Sequence, residues 1–219
     1  MKASKNNNGK ALKKFLHFFR GGFADKKYHA WERDYKWNAH LAWERDLNKE
    51  EYERLLKAMK FEEIAQRAVK LETKTNLLFS FEKMALRDAV KTKAGAKAFA
   101  EGLYDYVYGK DEIKIRFERF SEVLSKLPVK QTRVHTWPLQ TVFGFIANPK
   151  EHIFLKPRVT QTAAVNYGYE FEYTSKPNWE TYQSLINFAK QVKKDFPSLK
   201  PKDYIDLQSF IWVMGSDEY

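Results

Sequence analysis

Residues 11–20 read ALKKFLHFFR. Leu12, Phe15, Leu16 and Phe19 recur at helical spacing, Lys13, Lys14, His17 and Arg20 take the other sides, and Gly21–Gly22 stop the pattern. Residues 26–47 contain neither Gly nor Pro and are rich in good helix formers. The pentapeptide AWERD occurs there twice, at 30–34 and 42–46. In a helix, with about 100° per residue, Trp31, Trp37 and Trp43 point about 120° from one another, and the two copies face different ways. In a strand, Trp31, Tyr35, Trp37, Ala39, Leu41 and Trp43 would share one side. An unbroken strand of that length is uncommon, so one long helix is expected, with the strand as its rival. The repeat is then no tandem recognition unit.

Further helices follow. Asn48 and Glu51 have the spacing of a capping box ahead of EYERLLKAM. FEEIAQRAVKLE and NLLFSFEKMALRDAV come next. Their expected core faces are Ile64, Ala68 and Leu71, then Leu77, Phe81, Met84 and Ala85. GAKAFAEGLYDYVYG ends at Gly109, and Asp111 is placed to cap EIKIRFERFSEVLSKL, which stops before Pro128. Beyond it, prolines punctuate shorter segments. HIFL (152–155) and YEFEY (169–173) read as strands, the latter alternating Tyr169, Phe171 and Tyr173 with Glu170 and Glu172. TAAVNYG between them reads as a helical turn. Asn178 opens WETYQSLINFAKQVKKDF, and KDYIDLQSFIWVM closes the chain as a helix. The expected fold is mainly α, an α-rich α+β arrangement with a small β element in the C-terminal half. Residues 1–25 form a basic arm, its first ten residues disordered and then a short amphipathic helix, with docking on the body as the alternative. Residues 26–219 form a single α-rich domain.

Composition narrows the classes. The chain of 219 residues is 43% hydrophobic and 16% aromatic, enough for a substantial core. It has no cysteine, which excludes disulfides and thiolate metal sites and makes a reducing cytoplasm the expected compartment. The five histidines include no i,i+4 pair and no HExxH, so neither a metal nor another cofactor is expected. No apolar run is long enough to span a bilayer. The net charge of +11 favours an anionic partner, DNA or RNA first and an anionic membrane surface second. A protein that is merely basic is the plain alternative.

Candidate chemistry is sparse. No P-loop, GxGxxG or GxSxG is present. Glu170 and Glu172 read as a solvated edge rather than paired acids. Two loop segments, KQTRVHTWP and LKPRVTQT, set Lys130, Arg133, Lys156 and Arg158 among threonines beside Trp137. Cations and hydroxyls suit phosphates, and an exposed ring suits a base. The other reading packs Trp137 as the start of a helix before Pro138. With Lys13, Lys14 and Arg20 of the arm, these residues form the expected nucleic-acid-binding set. Arg33 and His40, nearly two turns apart on one helical face, resemble the Arg-x4–6-His motif of HEPN-type ribonucleases, in which such a pair would act on the RNA 2′-hydroxyl.

The phrases TNLLFSFEKMALRDAV, TWPLQTVFGFIANPKEHIFLKPRVT and KDYIDLQSFIWVMGSDEY together resemble an uncharacterised family of bacterial conserved hypothetical proteins. The last also resembles segments beside restriction and genome-defence modules. The resemblance covers most of the chain beyond residue 25 and implies a bacterial cytosolic protein working near DNA. It carries over no catalytic residue. The leading expectation is a non-catalytic nucleic-acid-binding protein. A metal-independent ribonuclease centred on Arg33 and His40, and an interaction subunit docking a protein partner through aromatics, are the alternatives.

Overall fold

The computed structural model describes residues 5–219, which form helices and connecting segments with no strand among them. Helix α1 spans Lys5–Phe18. Helix α2 is continuous from Lys26–Tyr28 through a π turn at His29–Arg33 into Asp34–Asp46. Then come α3 (Lys49–Lys57), α4 (Phe61–Glu72), α5 (Ser80–Ala89), α6 (Lys93–Tyr108), α7 (Ile113–Lys126), α8 (Trp137–Ala147), α9 (Pro157–Tyr167), α10 (Trp179–Asp195) and α11 (Tyr204–Gly215).

The α2 segment is the long helix that its length suggested. Trp43 is fully buried and its indole N–H donates to the Tyr108 hydroxyl at 2.9 Å, Trp37 is half-buried, and Trp31 is exposed. The three rings do face different ways, and the two AWERD copies serve different surroundings. Side-chain caps fix several boundaries. The Asn48 side chain accepts from the Glu51 amide at 3.0 Å, and Asn178 accepts from the Thr181 amide at 2.9 Å. Glu112, not Asp111, precedes α7, and its side chain makes no cap.

The core is one continuous cluster, and α11 runs through it. From Ile205 to Gly215 only Trp212 of this helix is not buried. Helix α9 packs against α11 most extensively. Gly215 permits the crossing: a Cβ there would collide with the Val159 carbonyl oxygen. Helix α1 docks on α9 and α11, with Ala11, Phe15 and Phe19 buried, so from Ala11 onward the N-terminal segment packs on the body, as the docking alternative has it. The helix begins inside the stretch expected to be disordered; residues 1–4 lie outside the described residues.

The expected β element is absent. HIFL and YEFEY form no regular element, and Tyr169, Phe171 and Tyr173 do alternate as half-buried against exposed Glu170 and Glu172, but neither segment pairs with a strand. Helix side chains satisfy the backbone instead. The Glu172 and Thr174 amides donate to the hydroxyls of Ser184 and Thr181 at 3.0 and 3.1 Å. The Ile153 and Leu155 amides donate to Tyr182 and Thr141 at 3.1 and 3.0 Å. A buried amide needs an acceptor, and an ordered hydroxyl meets that need as a ladder would. Helix α5 also differs from expectation. It starts at Ser80, where the Glu82 carboxylate accepts from the Phe79 amide at 2.7 Å. Its buried positions are Glu82, Ala85, Leu86 and Ala89, which leaves Phe81 and Met84 exposed.

Candidate nucleic-acid interface

A cleft of about 610 Å³ opens where the N-termini of α5, α8 and α9 meet the C-terminal end of α11. It brings together Arg133, Trp137, Lys156 and Arg158 from the two loop segments that the sequence singled out. It also includes Phe79, Phe81, Tyr173 and Trp212, which the sequence did not flag.

The four residues have different parts. Arg133 is exposed and has no carboxylate at ion-pair distance among the described residues. Arg158 is 90% exposed, and its one acidic neighbour, the equally open Asp217, stands at 3.8 Å. An exposed pair of that length contributes little and leaves the guanidinium available. Lys156 is committed inward. Its ammonium donates to the Leu77 carbonyl at 3.0 Å, lies 3.7 Å from the Glu82 carboxylate, and sits 3.4 Å from the centre of the Phe79 ring. Burial pulls its pKa below the ordinary lysine value, against the counter-pull of Glu82. Trp137 is not the exposed stacking ring of one reading. It is 1% exposed, packs near Phe117 and donates to the Thr174 carbonyl at 2.8 Å, so it is the packed start of α8 and supports the cleft from below.

The cleft is lined by the cations Arg133, Lys156 and Arg158 and by the acids Glu82, Asp217 and Glu218, and two helix starts add donors to it. The first amides of a helix lack intrahelical acceptors and carry the positive end of its dipole. Neither α8 nor α9 has a side-chain cap at its N-terminus. Thr136, which precedes α8, has a buried hydroxyl oxygen without a hydrogen-bond partner. Nearby His135 is held below the usual imidazole value, first by burial and then by the charges of Lys176 and Arg133. Of these acids Glu82 is engaged by Phe79 and Lys156, while Asp217 and Glu218 are exposed.

The remaining candidates lie apart. Lys130 is not among the cleft residues; it is exposed and 4.0 Å from Asp88. On α1 Lys13 is exposed and Lys14 half-buried, and Arg20 is exposed just beyond the helix. Arg33 and His40 have interior partners. The Arg33 guanidinium makes a forked pair with Asp203 at 3.0 and 2.7 Å and reaches Asp206 at 2.6 Å, beside the Tyr28 hydroxyl that Asp206 also accepts. Burial alone would lower its pKa, yet the Asp203 hydrogen bond and the Asp206 and Asp203 charges outweigh it and hold the guanidinium above its ordinary value. His40 Nδ1 lies 2.9 Å from the Ile146 carbonyl oxygen, and the Trp37 ring packs on both His40 and Arg33. This pair joins α2 to α11 and α8. Its cation is already neutralised.

A second recess of about 190 Å³ gathers Lys150, Lys190, Lys193 and Lys202, all exposed and none within ion-pair distance of a carboxylate among the described residues. The runs KQVKK and LKPK carried that signal. Among the described residues, no three His, Asp or Glu side chains are grouped as metal ligands, and no helix is long and apolar enough to cross a membrane. Searches with protein-family profiles, curated proteins and solved structures found no match to this chain.

Proposed function

We propose that this chain is a nucleic-acid-binding protein without catalysis of its own, that the aromatic-walled cleft is its principal footprint, and that its setting is the bacterial genome defence implied by its C-terminal phrase. One observation carries the reading: the loop ahead of α8 and the first turn of α9 bring Arg133, with no carboxylate at ion-pair distance among the described residues, and Arg158, with only a loose exposed pair to Asp217 at 3.8 Å, to one concavity lined by the uncapped starts of both helices. Backbone amides at helix starts and arginine forks are phosphate ligands. The +11 charge adds long-range attraction for a polyanion.

The test is titration of labelled single- and double-stranded oligonucleotides at two salt concentrations. Neutralised phosphates release counterions, so affinity should fall steeply with salt. No binding at low salt ends the proposal. A second reading, a protein partner docked on the cleft rim, is favoured by exposed Phe79, Phe81 and Met84. It gains if a lysate partner is captured by the parent and lost with Met84→Glu, while oligonucleotides do not bind.

A further inference from the structure

The two sides of the cleft differ chemically. One side is a column. The Lys156 ammonium lies over Phe79, and the Phe79 and Phe81 rings stack with centres 5.6 Å apart and planes 28° from parallel. Phe79 has the ammonium over it and Phe81 against it and still leaves 55% of its surface open. Phe81 ends the column and is 46% exposed. An exposed aromatic ring braced from behind is a stacking platform.

The other side offers hydrogen-bond donors, with Asp217 and Glu218 at its rim. In α9 the first intrahelical amide bond is Thr160 to the Lys156 carbonyl, at 2.9 Å, and Pro157 has no N–H. The Arg158 and Val159 amides therefore have no intrahelical acceptor. In α8 the first such bond is Gln140 to the Thr136 carbonyl, also at 2.9 Å, and the unpartnered Thr136 hydroxyl lies at that helix start. Arg133 and Arg158 stand beside these groups.

Size and geometry then choose the ligand. The volume of about 610 Å³ is that of a site for one small ligand, within the usual ~300–1,000 Å³. A duplex offers its phosphates and groove edges, while the faces of its bases are covered by their neighbours. A ring platform inside a small cleft can use only a base that is out of the stack. We infer that the cleft takes one unpaired nucleotide of a single strand, with its base on Phe81 and its phosphate among Arg133, Arg158 and the starts of α8 and α9. This rests on the nucleic-acid reading above and narrows it from polyanion to unpaired nucleotide.

Three labelled probes test it by fluorescence anisotropy: a single strand of about twelve nucleotides, the same strand in a blunt duplex, and an abasic strand of equal length. The intact single strand should bind about tenfold or more tighter than either of the others, because stacking contributes roughly 1–3 kcal/mol per base. Phe81→Ala and Phe81→Leu should remove that advantage and leave the abasic strand unaffected. Both replace an exposed ring, and matching circular dichroism and melting confirm that the fold is kept. Arg158→Ala should weaken all three probes together. Equal affinity for the three probes, with both Phe81 variants neutral, overturns this inference and leaves the nucleic-acid reading standing. Competition by polyglutamate of matched charge as strong as that of the single strand also overturns it. Failure of every oligonucleotide to bind at low salt removes both.

Discussion

Arg33 and Arg158 are both arginines that the sequence offered as nucleic-acid contacts, and the fold treats them oppositely. Arg33 is enclosed by Asp203, Asp206 and Tyr28. Arg158 reaches into solvent with one loose acidic neighbour at 3.8 Å. Residue type and local spacing do not separate them. What separates them is whether the tertiary structure brings a carboxylate to the guanidinium. A neutralised arginine holds elements together; an unneutralised one remains available for a ligand.

Substitution should expose this contrast most strongly at Arg33. Arg33→Ala leaves two buried carboxylates without their cation, which destabilises by about 3–5 kcal/mol. Denaturant unfolding should show that loss, while oligonucleotide affinity of the folded fraction stays near the parent value. A stable variant that no longer binds would reverse the assignment.

The interior side of the contrast can be sharpened by pH. His152 is fully buried between Gly144 and Tyr106, and burial, reinforced by the Arg116 charge, lowers its pKa from 6.5 to about 3. The unfolded chain takes up this proton near the ordinary value and the folded chain does not. His152 therefore makes stability fall as pH drops from 6.5 towards 3, by up to about 1.4 kcal/mol per pH unit, with no further loss below that range. Between pH 6 and 4 the parent should lose up to roughly 2–3 kcal/mol through this group. His152→Leu should show a shallower slope by about one proton, and an unchanged slope would mean that the imidazole is protonated in the fold.

On the open side, Arg133→Ala with Arg158→Ala should leave stability within about 0.5 kcal/mol, as exposed substitutions do. Affinity should fall about tenfold or more at low salt, and the dependence of log affinity on log salt should flatten by about two phosphate contacts. Parent-like binding would remove the cleft as the footprint. The smallest effect is expected for Lys13, Lys14 and Arg20 changed together to Gln. They carry charge outside the cleft, so affinity should drop by no more than about threefold at physiological salt, where the Debye length is about 8 Å. A larger drop would move the footprint towards α1.

The helices were legible because their apolar spacing is local. The cleft was half legible. Its cations stood out in proline-punctuated loops, but its platform did not, because Phe81 was counted on the core face of a helix running on from Leu77. The helix starts instead at Ser80, where Glu82 holds the Phe79 amide, and that start turns Phe81 outward. The period-2 alternation at 169–173 correctly gave which side chains face inward. It could not show that the backbone partners would be Thr181 and Ser184 of a helix. Arg33 was opaque for the same reason: its acidic partner Asp203 is 170 residues away.

The hydroxyls that hold the two irregular segments also bear on how the chain assembles. A strand can find another strand while both are still loose. Residues 152–155 cannot do this, because Thr141 and Tyr182 are correctly placed only once α8 and α10 are wound and docked, and residues 169–174 wait for the winding of α10, which places Thr181 and Ser184. Their order is then acquired late, after the helices that hold them. Removing the Ser184 or Thr181 hydroxyl should speed unfolding and leave the folding rate nearly unchanged, the signature of contacts absent from the transition state.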